Sequence, residues 1–556
     1  MGGAKPMSDK KINNSLFQVR LPIFVALGVA VGLLLGSTMY EPAGNNPQST
    51  AKGYLKFRDI LSYIDRDYVD TVNTEELADY AITKMLEKLD PHTSYIPVKE
   101  IEMVRSQLEG DFEGIGVEFN ILHDTILVVA PISGGPSDQV GILAGDKIVK
   151  VDGENVTGKT LNNKLVFEKL RGPKGSKVKL TIKRKNEQKL MDYVVTRDKI
   201  PTYSVDVSYM VDDKTGYIKV SRFAANTYTE FKEHMAKLQK KGMQRLVLDL
   251  RDNPGGYMDR ATQMADDFLA GNKMIVYTDG KGERYDSKIY TNPRAKGSFE
   301  NGAVVVLINE GSASASEIVS GALQDHDRGL IVGRRSFGKG LVQMPIPLND
   351  GSELRLTISR YYTPSGRSIQ KPYSADNTED YETELLTRFK HGEFYHADSI
   401  KFNDSLKYKT TGGRIVYGGG GIMPDVFVPR DTTEYTEYLG HLYSKNVLRE
   451  FSLDYYLSNK KQFKKMTADQ YIKNFEVTEA MMQQVLKRAG KEEIKFNETE
   501  YNRSKHLIKN TVKAFIGRSA YQAEGFYPVL HQVDDEFKQA IKQFGRAEKL
   551  AQGKLE

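Results

Sequence analysis

The chain has 556 residues, of which 39% are hydrophobic and 27% charged, a balance typical of globular proteins rather than of disordered or fibrous chains. A formal net charge of +6 is too dilute over this length to indicate binding to nucleic acid. Cysteine is absent, which excludes disulfides and thiolate metal sites, and the length predicts three or more domains.

Residues 21–40 form an uncharged, largely apolar run that is long enough to cross a bilayer. The preceding residues 1–20 are polar and basic, so we expect them to stay in the cytoplasm. Both a retained anchor and a cleaved signal peptide fit this pattern, and the lack of an A-x-A site favours the anchor. A stripe of glycines at every fourth position could pair two such helices: Gly28, Gly32 and Gly36.

A linker followed by helices is predicted after this run. Residues 41–52 are rich in Pro, Gly, Asn and Ser, which is typical of a linker. Within the region 53–109, the spacing of apolar residues at 54–69 and 74–89 predicts two helices. His92 lies in the turn that follows and could take part in chemistry, but a histidine in a turn is more typically structural.

A small β-rich domain is predicted at residues 110–198, with strand-like runs at 116–119, 125–129, 147–151 and 177–183. The order of these runs, with GIGVEF near the start and AGDKIVKVDGENV in the middle, resembles a PDZ domain. The resemblance implies that a peptide's terminal carboxylate is bound by the backbone N–H groups of Ile115, Gly116 and Val117, and that the peptide adds as a strand. Arg171 is more typical of a solvated loop than of a sensor of bound peptide, and both interpretations stay open.

A second α/β region begins near residue 199. Helical spacing at Thr227–Lys240 and a buried strand at 246–250 precede the sequence RDNPGG. A Pro-Gly-Gly corner at the end of a strand allows backbone amides to point into a cleft. Asp249 and Asp252 lie beside this corner and are candidate acids, although aspartates at strand ends commonly cap turns.

Residues 302–344 combine a buried strand, a serine-rich turn and a helix. The apolar run Ala303–Ile308 predicts the strand, and the spacing at 317–324 predicts the helix. A serine between a strand and a helix exposes its hydroxyl, and nearby N–H groups at the helix N-terminus can stabilise an oxyanion. The candidate nucleophiles are Ser312, Ser314 and Ser316.

A serine hydroxyl needs a base, and Lys339 is the candidate that the sequence favours. Its neighbours are mostly apolar or glycine, a setting that shifts an amine towards its neutral form. If Lys339 begins a strand, Gln343 lies on the same face and could orient the amine.

The sequences GSASASEI and GRRSFGKGLVQ resemble the nucleophile and base region of the C-terminal processing peptidases, or tail-specific proteases. In that family the nucleophile is the middle serine of SASASE, with the lysine 25 residues on and a glutamine 4 beyond it. The resemblance therefore implies roles as nucleophile, base and orienting residue for Ser314, Lys339 and Gln343. It also implies an oxyanion hole formed by the backbone amides of Gly255, Gly256 and Ala315.

The fold that the resemblance implies is an α/β, crotonase/ClpP-like peptidase core with an inserted PDZ domain, N-terminal helices and a mostly helical C-terminal region. We expect the core at 199–430 and the helical region at 431–556. Residues 371–420 are an insertion relative to the family, because the segment GIMPD follows TPSGRSIQ unusually late. We interpret this insertion as a surface excursion near the cleft.

A nucleotide hydrolase is the first rival class. Residues 333–339 match the phosphate-loop pattern G-x-x-x-x-G-K, but Gly340 stands where that pattern needs Ser or Thr to hold magnesium. The acidic strand end at Asp249 also precedes the loop, whereas a phosphate loop normally comes first. These departures argue against nucleotide binding.

Two other serine-enzyme classes fit less well. A penicillin-binding pattern would use Ser176 and Lys179, but such short matches arise by chance and Ser176 lies in a charged, alternating run. A Ser-His-Asp triad would recruit Asp325 or His326, about 15 Å away from Ser314 along a helix at 1.5 Å per residue. That distance is too long without a bend.

The sequence thus predicts a membrane-anchored serine endopeptidase with a single span in the bacterial inner membrane and its catalytic region in the periplasm. Its expected partners are protein substrates with apolar C-terminal tails, the inner membrane and a second copy in a homodimer. No cofactor, metal, nucleotide or nucleic acid is expected. The alternative is a non-catalytic PDZ scaffold at the membrane, which shares every feature except Ser314 with Lys339.

Overall fold

The computed structural model describes residues 2–3, 47–132, 134–185, 187–374 and 378–554. The predicted membrane span 21–40 lies outside these residues. Of the helices within the described ranges, none is both long enough and apolar enough to cross a bilayer. The chain divides into two units, Met1–Ile82 and Thr83–Glu556.

The first unit contains helix α1 (Pro47–Asp67) and the start of helix α2 (Thr74–Leu86). Helix α1 begins within the stretch that the sequence predicts as a linker. The side chain of Asn73 accepts a hydrogen bond from the Glu75 amide at 3.1 Å and so caps α2. Large apolar side chains of α1 are exposed: Tyr54, Phe57, Ile60 and Tyr63.

A short strand and a helix lead into the predicted PDZ domain: β1 (Ser94–Ile96) and α3 (Val98–Glu109). The strands of the domain are β2 (Asp111–Gly114), β3 (Val117–Leu122), β4 (Thr125–Pro131), β5 (Lys147–Val151), β6 (Glu154–Asn155), β7 (Lys177–Lys183), β8 (Met191–Thr196) and β9 (Asp198–Pro201). Its helices are α4 (Pro136–Gln139) and α5 (Asn163–Leu170). The antiparallel sheet has the order β3-β4-β5-β7-β8, and the pair β2-β9 joins the two ends of the domain.

The predicted peptidase core follows. Its strands are β10 (Val205–Met210), β11 (Thr215–Val220), β12 (Arg245–Asp249), β13 (Met274–Gly280), β14 (Ser287–Tyr290), β15 (Ala303–Ile308), β16 (Leu330–Gly333), β17 (Leu341–Pro347), β18 (Glu353–Tyr362), β19 (Lys407–Lys409), β20 (Ile415–Tyr417) and β21 (Val426–Phe427). Its helices are α6 (Thr227–Lys240), α7 (Met258–Asp266), α8 (Ala315–Asp325) and α9 (Thr378–Lys390). Short 3-10 turns lie at Lys281–Glu283, Ala397–Ser399 and Asp404–Leu406.

One sheet of the core has the order β10-β11-β12-β15-β16-β21, and its strands run parallel from β11 onward. Every residue of β15 is buried, as its apolar sequence predicts. Because the carboxyl ends of neighbouring parallel strands lie at one edge, the RDNPGG corner after β12 meets the serine-rich turn after β15. The second sheet has the order β1-β18-β13-β14, with β17 also paired to β18.

The insertion 371–420 contains α9 and the hairpin β19-β20. Most of its described residues are exposed, as expected of a surface excursion, but a few side chains are buried against the core, including Tyr381, Arg388 and Phe394. The insertion leaves and re-enters the core at one place, where the Gly421 amide donates to the Ile369 carbonyl at 2.7 Å. Arg388 is buried because it finds partners on the core, the backbone carbonyls of Ser336 and Arg335.

The C-terminal region is helical, as predicted: α10 (Glu437–Ser444), α11 (Val447–Ser458), α12 (Lys460–Phe463), α13 (Ala468–Asn474), α14 (Glu479–Lys491), α15 (Glu498–Leu530), α16 (Asp535–Lys542) and α17 (Phe544–Ala551). Helices α10 to α15 share a cluster of buried aromatic and aliphatic side chains. Helices α16 and α17 pack Phe537 and Phe544 against the core sheet β10-β11-β12-β15-β16-β21. The last residues of the described chain therefore cover the strands that carry the candidate site.

Candidate active site

A cleft of about 720 Å³ brings together the three residues for which the sequence predicts catalytic roles. The cleft is lined by Ser314, Lys339 and Gln343 and also by Gly256 of the RDNPGG corner, called the glycine corner below. Apolar side chains form much of the remaining wall: Leu108, Met258, Ile318, Leu341 and Val342. The cleft is therefore large enough for a peptide and is apolar around the candidate nucleophile.

The three candidate serines have different surroundings. Ser312 and Ser316 are fully buried, and their hydroxyls donate to the backbone carbonyls of Leu250 (2.7 Å) and Asn253 (2.9 Å). These bonds join the serine-rich turn to the RDNPGG corner. Ser314 alone of the three lines the cleft.

Ser314 has an uncommon backbone conformation, with φ 54° and ψ −111°. A non-glycine residue in such a region costs about 1–3 kcal/mol and persists only where its surroundings enforce it. The residue is the N-cap of α8, so the first amides of that helix lie beside it. The turn therefore places the Ser314 hydroxyl at the sheet edge, next to backbone donors.

A buried carboxylate connects the candidate nucleophile with the candidate base. Glu317 Oε2 accepts from the backbone amides of Ser314 (2.7 Å) and Lys339 (2.9 Å). Its Oε1 accepts from the Ser336 hydroxyl (2.5 Å) and the Gly338 amide (2.7 Å). Glu317 is fully buried, and burial raises its pKa to about 7 against the effect of these four donors.

A tyrosine hydroxyl contacts the same two residues from the other side. The Tyr361 hydroxyl oxygen lies 2.6 Å from the Lys339 carbonyl oxygen and 3.1 Å from that of Ser314. Tyr361 is buried at the end of β18. The backbones of nucleophile and base are thus held by one acceptor, Glu317, and one donor, Tyr361.

The Lys339 amine lies in a largely buried position. Burial lowers the pKa of the Lys339 amine below its ordinary value. The negative charges of Glu317 and Asp90 oppose this shift, and the positive charge of Arg355 adds to it. The lowered pKa increases the fraction of amine that is neutral and able to accept a proton near neutral pH. This direction agrees with the apolar setting that the sequence indicates.

Gln343 belongs to a chain of polar contacts along the cleft wall. Its Nε2 donates to the Thr357 hydroxyl at 3.1 Å, and that hydroxyl donates to Asp90 Oδ1 at 3.1 Å. Asp90 also accepts from the amides of His92 and Thr93, both at 2.8 Å. The turn before β1 therefore fixes the orientation of the Gln343 side chain.

The glycine corner lies directly against the serine turn. Gly255 has φ +100° and Gly256 has φ +141°, conformations that other residues rarely adopt. The Gly255 amide donates to Asn253 Oδ1 at 2.9 Å, so in this structure it is already occupied. Gly256 lines the cleft, and Ala315 is the first residue of α8, where an amide has no acceptor within its own helix.

The predicted carboxylate-binding residues lie at the start of β3. Ile115 and Gly116 are buried, and Val117 lines a groove between β3 and α5. Half of the residues that line the groove are apolar, with Phe119 and Ile121 on the strand and Phe167 on the helix. Such a surface fits an extended peptide with apolar side chains.

Arg171 is not the solvated charge that its loop sequence favours. Its guanidinium lies over the rings of Phe112 (4.7 Å) and Phe167 (4.5 Å) and donates to the Ser106 hydroxyl at 2.7 Å. Burial lowers its pKa. The residue packs between the PDZ domain and helix α3, a contact that sequence alone does not reveal.

Other candidate acids and bases have structural partners. Asp249 is buried against Arg251, at 2.6 Å, and the hydroxyl of Tyr217 donates to it. Asp325 pairs with the fully buried Arg367 at 2.7 Å, and a ring nitrogen of His326 lies 2.6 Å from the Met274 carbonyl. None of these three residues lines the cleft with Ser314.

Sequence reasoning missed Glu317, Tyr361 and Asp90 as parts of the site. Glu317 had a readable signal, because Ser-x-x-Glu before a helix is the capping-box pattern. Asp90 was obscured by its turn-like setting, Asp-Pro-His-Thr, which by itself indicates only a local bend. For Tyr361 no local signal exists, since its role depends on how β18 packs beside α8.

Comparisons with known proteins place this site in a family. Residues 214–380 match the model of peptidase family S41, residues 114–194 that of the PDZ domain, and residues 438–522 that of a family of unknown function. A carboxy-terminal-processing protease of Bartonella bacilliformis is 39% identical over 360 residues, covering 63% of this chain and 80% of that protein.

Two solved structures are also similar. The photosystem II D1 C-terminal processing protease has a TM-score of 0.34 and 26% identity, covering 67% of this chain and 92% of that one. A PDZ domain of a carboxy-terminal protease from Vibrio cholerae, in complex with a peptide, has a TM-score of 0.15 and 32% identity, covering 16% and 97%. Because both TM-scores are low, the assignment depends on the sequence matches, which include the whole segment from Ser314 to Gln343. This chain belongs to the carboxy-terminal-processing proteases, serine-type enzymes of peptidase family S41 that carry a PDZ domain.

Proposed function

We propose that this protease cleaves proteins with a Ser314–Lys339 dyad through an acyl-enzyme, after its PDZ domain has bound the substrate's C-terminal tail. The observation that carries the proposal is the buried Glu317 carboxylate, which accepts from the backbone amides of both Ser314 and Lys339. A single group thereby fixes the relative positions of nucleophile and base. Such preorganisation is what acyl transfer requires.

In the proposed reaction, neutral Lys339 takes the proton from the Ser314 hydroxyl as its oxygen attacks the scissile carbonyl carbon. The tetrahedral intermediate collapses, the peptide C–N bond breaks, and the leaving amine receives the proton from Lys339. The Lys339 amine then deprotonates a water molecule, which attacks the acyl carbon. The ester bond to Ser314 breaks, its oxygen recovers the proton from Lys339, and the new C-terminus is released. Gln343, oriented by Thr357, hydrogen-bonds the amine and holds it towards Ser314.

The proposed oxyanion hole uses the amides of Gly256 and Ala315. We assign Gly255 to the support of this hole, because its own amide donates to Asn253. Asn253 in turn connects the corner to the serine turn, since its carbonyl accepts from the Ser316 hydroxyl. Backbone amides that are fixed in this way can stabilise a developing oxyanion without rearrangement.

Tail capture is proposed for the groove between β3 and α5. The amides of Ile115, Gly116 and Val117 would bind the terminal carboxylate, and the apolar residues of the groove would contact the side chains that precede it. The expected substrates are therefore proteins whose C-terminal tails are apolar and extended.

We further propose that residues 21–40 anchor the chain in the inner membrane, with the catalytic region in the periplasm. The support is the length of the uncharged run and the basic segment before it. We also propose a homodimer, because apolar side chains of α1 such as Tyr54 and Ile60 are exposed. Light scattering that finds only monomers of the detergent-solubilised full chain would exclude the dimer.

The experiment that tests the dyad compares the parent protein with Ser314→Ala and Lys339→Ala. Each receives an unstructured protein with an apolar C-terminal tail and the same protein with an amidated C-terminus, in the presence of EDTA. We expect cleavage by the parent alone, and slower cleavage of the amidated substrate. Equal cleavage by all three proteins would contradict the assignment of the nucleophile, and loss of activity in EDTA would contradict metal-independent chemistry.

The second candidate function is a PDZ scaffold without catalysis. It would be favoured if the parent protein bound the tail with a free carboxylate and cleaved nothing over a range of pH. Binding to the amidated tail serves as its control.

A further inference from the structure

The loop that carries Lys339 is bonded to the serine-rich turn, where the Phe337 amide donates to the Ser312 carbonyl at 2.9 Å. Residues 335–340 connect β16 to β17 and form no strand or helix. Gly338 within this loop has φ +91°, and a Cβ placed there would lie 3.1 Å from the Gly421 amide nitrogen and 3.2 Å from the Ile369 carbonyl oxygen. The loop is therefore packed tightly between the two ends of the insertion 371–420.

The first residue of the insertion and the residue before it pair with the loop on the two sides of Lys339. The amide of Lys371 donates to the Gly338 carbonyl at 2.9 Å, and the amide of Gly340 donates to Gln370 Oε1 at 2.8 Å. The Lys371 side chain is 2% exposed, and its ammonium lies 4.1 Å from the ring centre of Phe337. A buried cation thus packs against the loop residue that lies two positions before the base.

Helix α9 of the insertion adds a second set of contacts. Arg388 Nη1 and Nη2 donate to the carbonyls of Ser336 (3.1 Å) and Arg335 (2.8 Å). Glu393 accepts from Arg388 Nε at 2.9 Å and from Arg335 in a bidentate pair at 2.5 and 2.6 Å. Arg388 and Glu393 are both buried, so these charge-assisted bonds are shielded from water.

Helix α9 also reaches the wall of the cleft itself. The hydroxyl of Tyr381 lies 2.7 Å from Nε2 of His92, and the two rings meet edge to face at 5.4 Å. His92 lines the cleft together with Lys339. Tyr381 is buried and also packs against the Lys371 ammonium, at 4.1 Å from its ring centre.

From these contacts we infer that the insertion 371–420 is a brace that positions the base of this protease, with Arg388, Glu393 and Tyr381 as positioning residues. The inference rests on the proposed role of Lys339. The insertion holds the backbone on the N-terminal side of Lys339 and one side of the cleft wall, and Glu317 and Tyr361 hold the backbone at Lys339 itself. A displacement of the base by about 1 Å can reduce the rate of a positioned reaction roughly a hundredfold.

The test replaces Arg388 by Met, which keeps an unbranched apolar stem and removes all donors. We expect kcat per folded molecule to fall roughly ten- to hundredfold with KM unchanged, because the base moves while the tail is bound elsewhere. Arg388→Lys, which restores one cationic donor, should recover part of kcat. Tyr381→Phe removes one hydroxyl, which contacts His92 and the Gln370 side chain, and should lower kcat by less. It also keeps the test decisive if Arg388→Met does not fold.

Arg328→Met is the matched control. Arg328 is also a buried arginine that donates to backbone carbonyls, those of Phe268 (2.7 Å) and Gly302 (2.7 Å), but its partners lie at the opposite end of β15 from Ser314. We expect it to lose stability as Arg388→Met does, with kcat per folded molecule unchanged.

Unchanged kcat in both Arg388→Met and Tyr381→Phe would overturn the inference, and so would an equal fall in Arg328→Met. Failure of the dyad itself would be seen separately, as activity of Ser314→Ala or Lys339→Ala in the same assay. The folded fraction of every variant is measured by circular dichroism at the assay temperature.

Discussion

At the scale of single residues, Glu317 acts on the dyad by binding the backbone amides of Ser314 and Lys339 and not their side chains. Its carboxylate accepts hydrogen bonds from four donors. A protonated carboxylic acid would accept these bonds less well, and its own O–H would lie among the four donors. The ionised form is therefore the one that fits the site. Burial nevertheless raises the pKa of Glu317 to about 7, so protonation of this group begins near neutral pH.

The first prediction concerns the pH dependence of kcat/KM. Lys339 must be neutral, and its pKa lies below the ordinary 10.5, so activity should fall as pH drops through that lowered pKa. Protonation of Glu317 below about pH 7 should reduce activity in the same direction. The measurement is kcat/KM on a tailed substrate between pH 5 and 9, and a flat profile would count against Lys339 as the base.

Loss of activity in acid can be separated from unfolding by the signs of the two shifts. The folded pKa of Glu317 is raised, so this group destabilises the fold above about pH 7 and its penalty disappears as pH falls towards 4.5. The folded pKa of Lys339 is lowered, so its penalty grows as pH falls from 10.5 and is constant below the folded value. Glu317 therefore does not unfold the protein between pH 7 and 5, because its penalty shrinks over that range, and circular dichroism should stay constant there.

At the scale of elements, the site depends on the close approach of two turns that follow neighbouring parallel strands. A Cβ on Gly255 would lie 2.8 Å from Ser314 Cβ and 2.9 Å from the Ala315 amide nitrogen. We predict that Gly255→Ala displaces the serine turn and reduces kcat by about a hundredfold or more. The measurement is steady-state cleavage of a tailed substrate.

Gly271→Ala is the control for this change. Gly271 also has a positive φ, +78°, but a Cβ on Gly271 would have no atom of the described residues within 4 Å beyond its chain neighbours. The unfolding free energy of both variants should fall by about 1–2 kcal/mol, because alanine is strained in the left-handed conformation. Only Gly255→Ala should lose activity, and equal activities would mean that the contact with Ser314 is unimportant.

Much of this arrangement follows from local sequence. The strands Ala303–Ile308, Lys147–Val151 and Lys177–Lys183 are confirmed with the predicted bounds, because their apolar patterns are uninterrupted and turn residues flank them. Helix α8 begins at Ala315 rather than at the predicted residue 317, since small residues such as Ala and Ser give no periodic signal.

The parts that could not be predicted depend on distant contacts. The insertion is polar and rich in tyrosine, so its sequence indicates a solvated segment, and only its packing on residues 335–340 buries Arg388 and Glu393. The link from Gln343 through Thr357 to Asp90 joins three separate parts of the chain. Such links need the tertiary structure, because no spacing rule relates residues 90, 343 and 357.

At the scale of the whole molecule, the end of the chain contacts both loops of the site. Glu536, at the start of α16, accepts from Arg251 at 3.0 Å and pairs with Arg334 through its other oxygen. Arg251 immediately precedes the turn that contains Gly255 and Gly256, and Arg334 precedes the loop that carries Lys339. The Glu536 carboxylate thus neutralises the charges of both arginines and connects the residues at which the two loops begin.

The last prediction concerns Glu536→Gln. The change removes the negative charge between two arginines whose side chains are only 14% and 7% exposed, so we expect the unfolding free energy to fall by about 2 kcal/mol. The value of kcat should fall as well, because both loops lose a common anchor. Asp535→Asn is the control: the Asp535 carboxylate is 61% exposed and pairs with Lys538, so the change should cost less than about 0.5 kcal/mol. Denaturant unfolding and steady-state cleavage measure both effects. If the two variants behave alike, α16 covers the core without contributing to the geometry of the site.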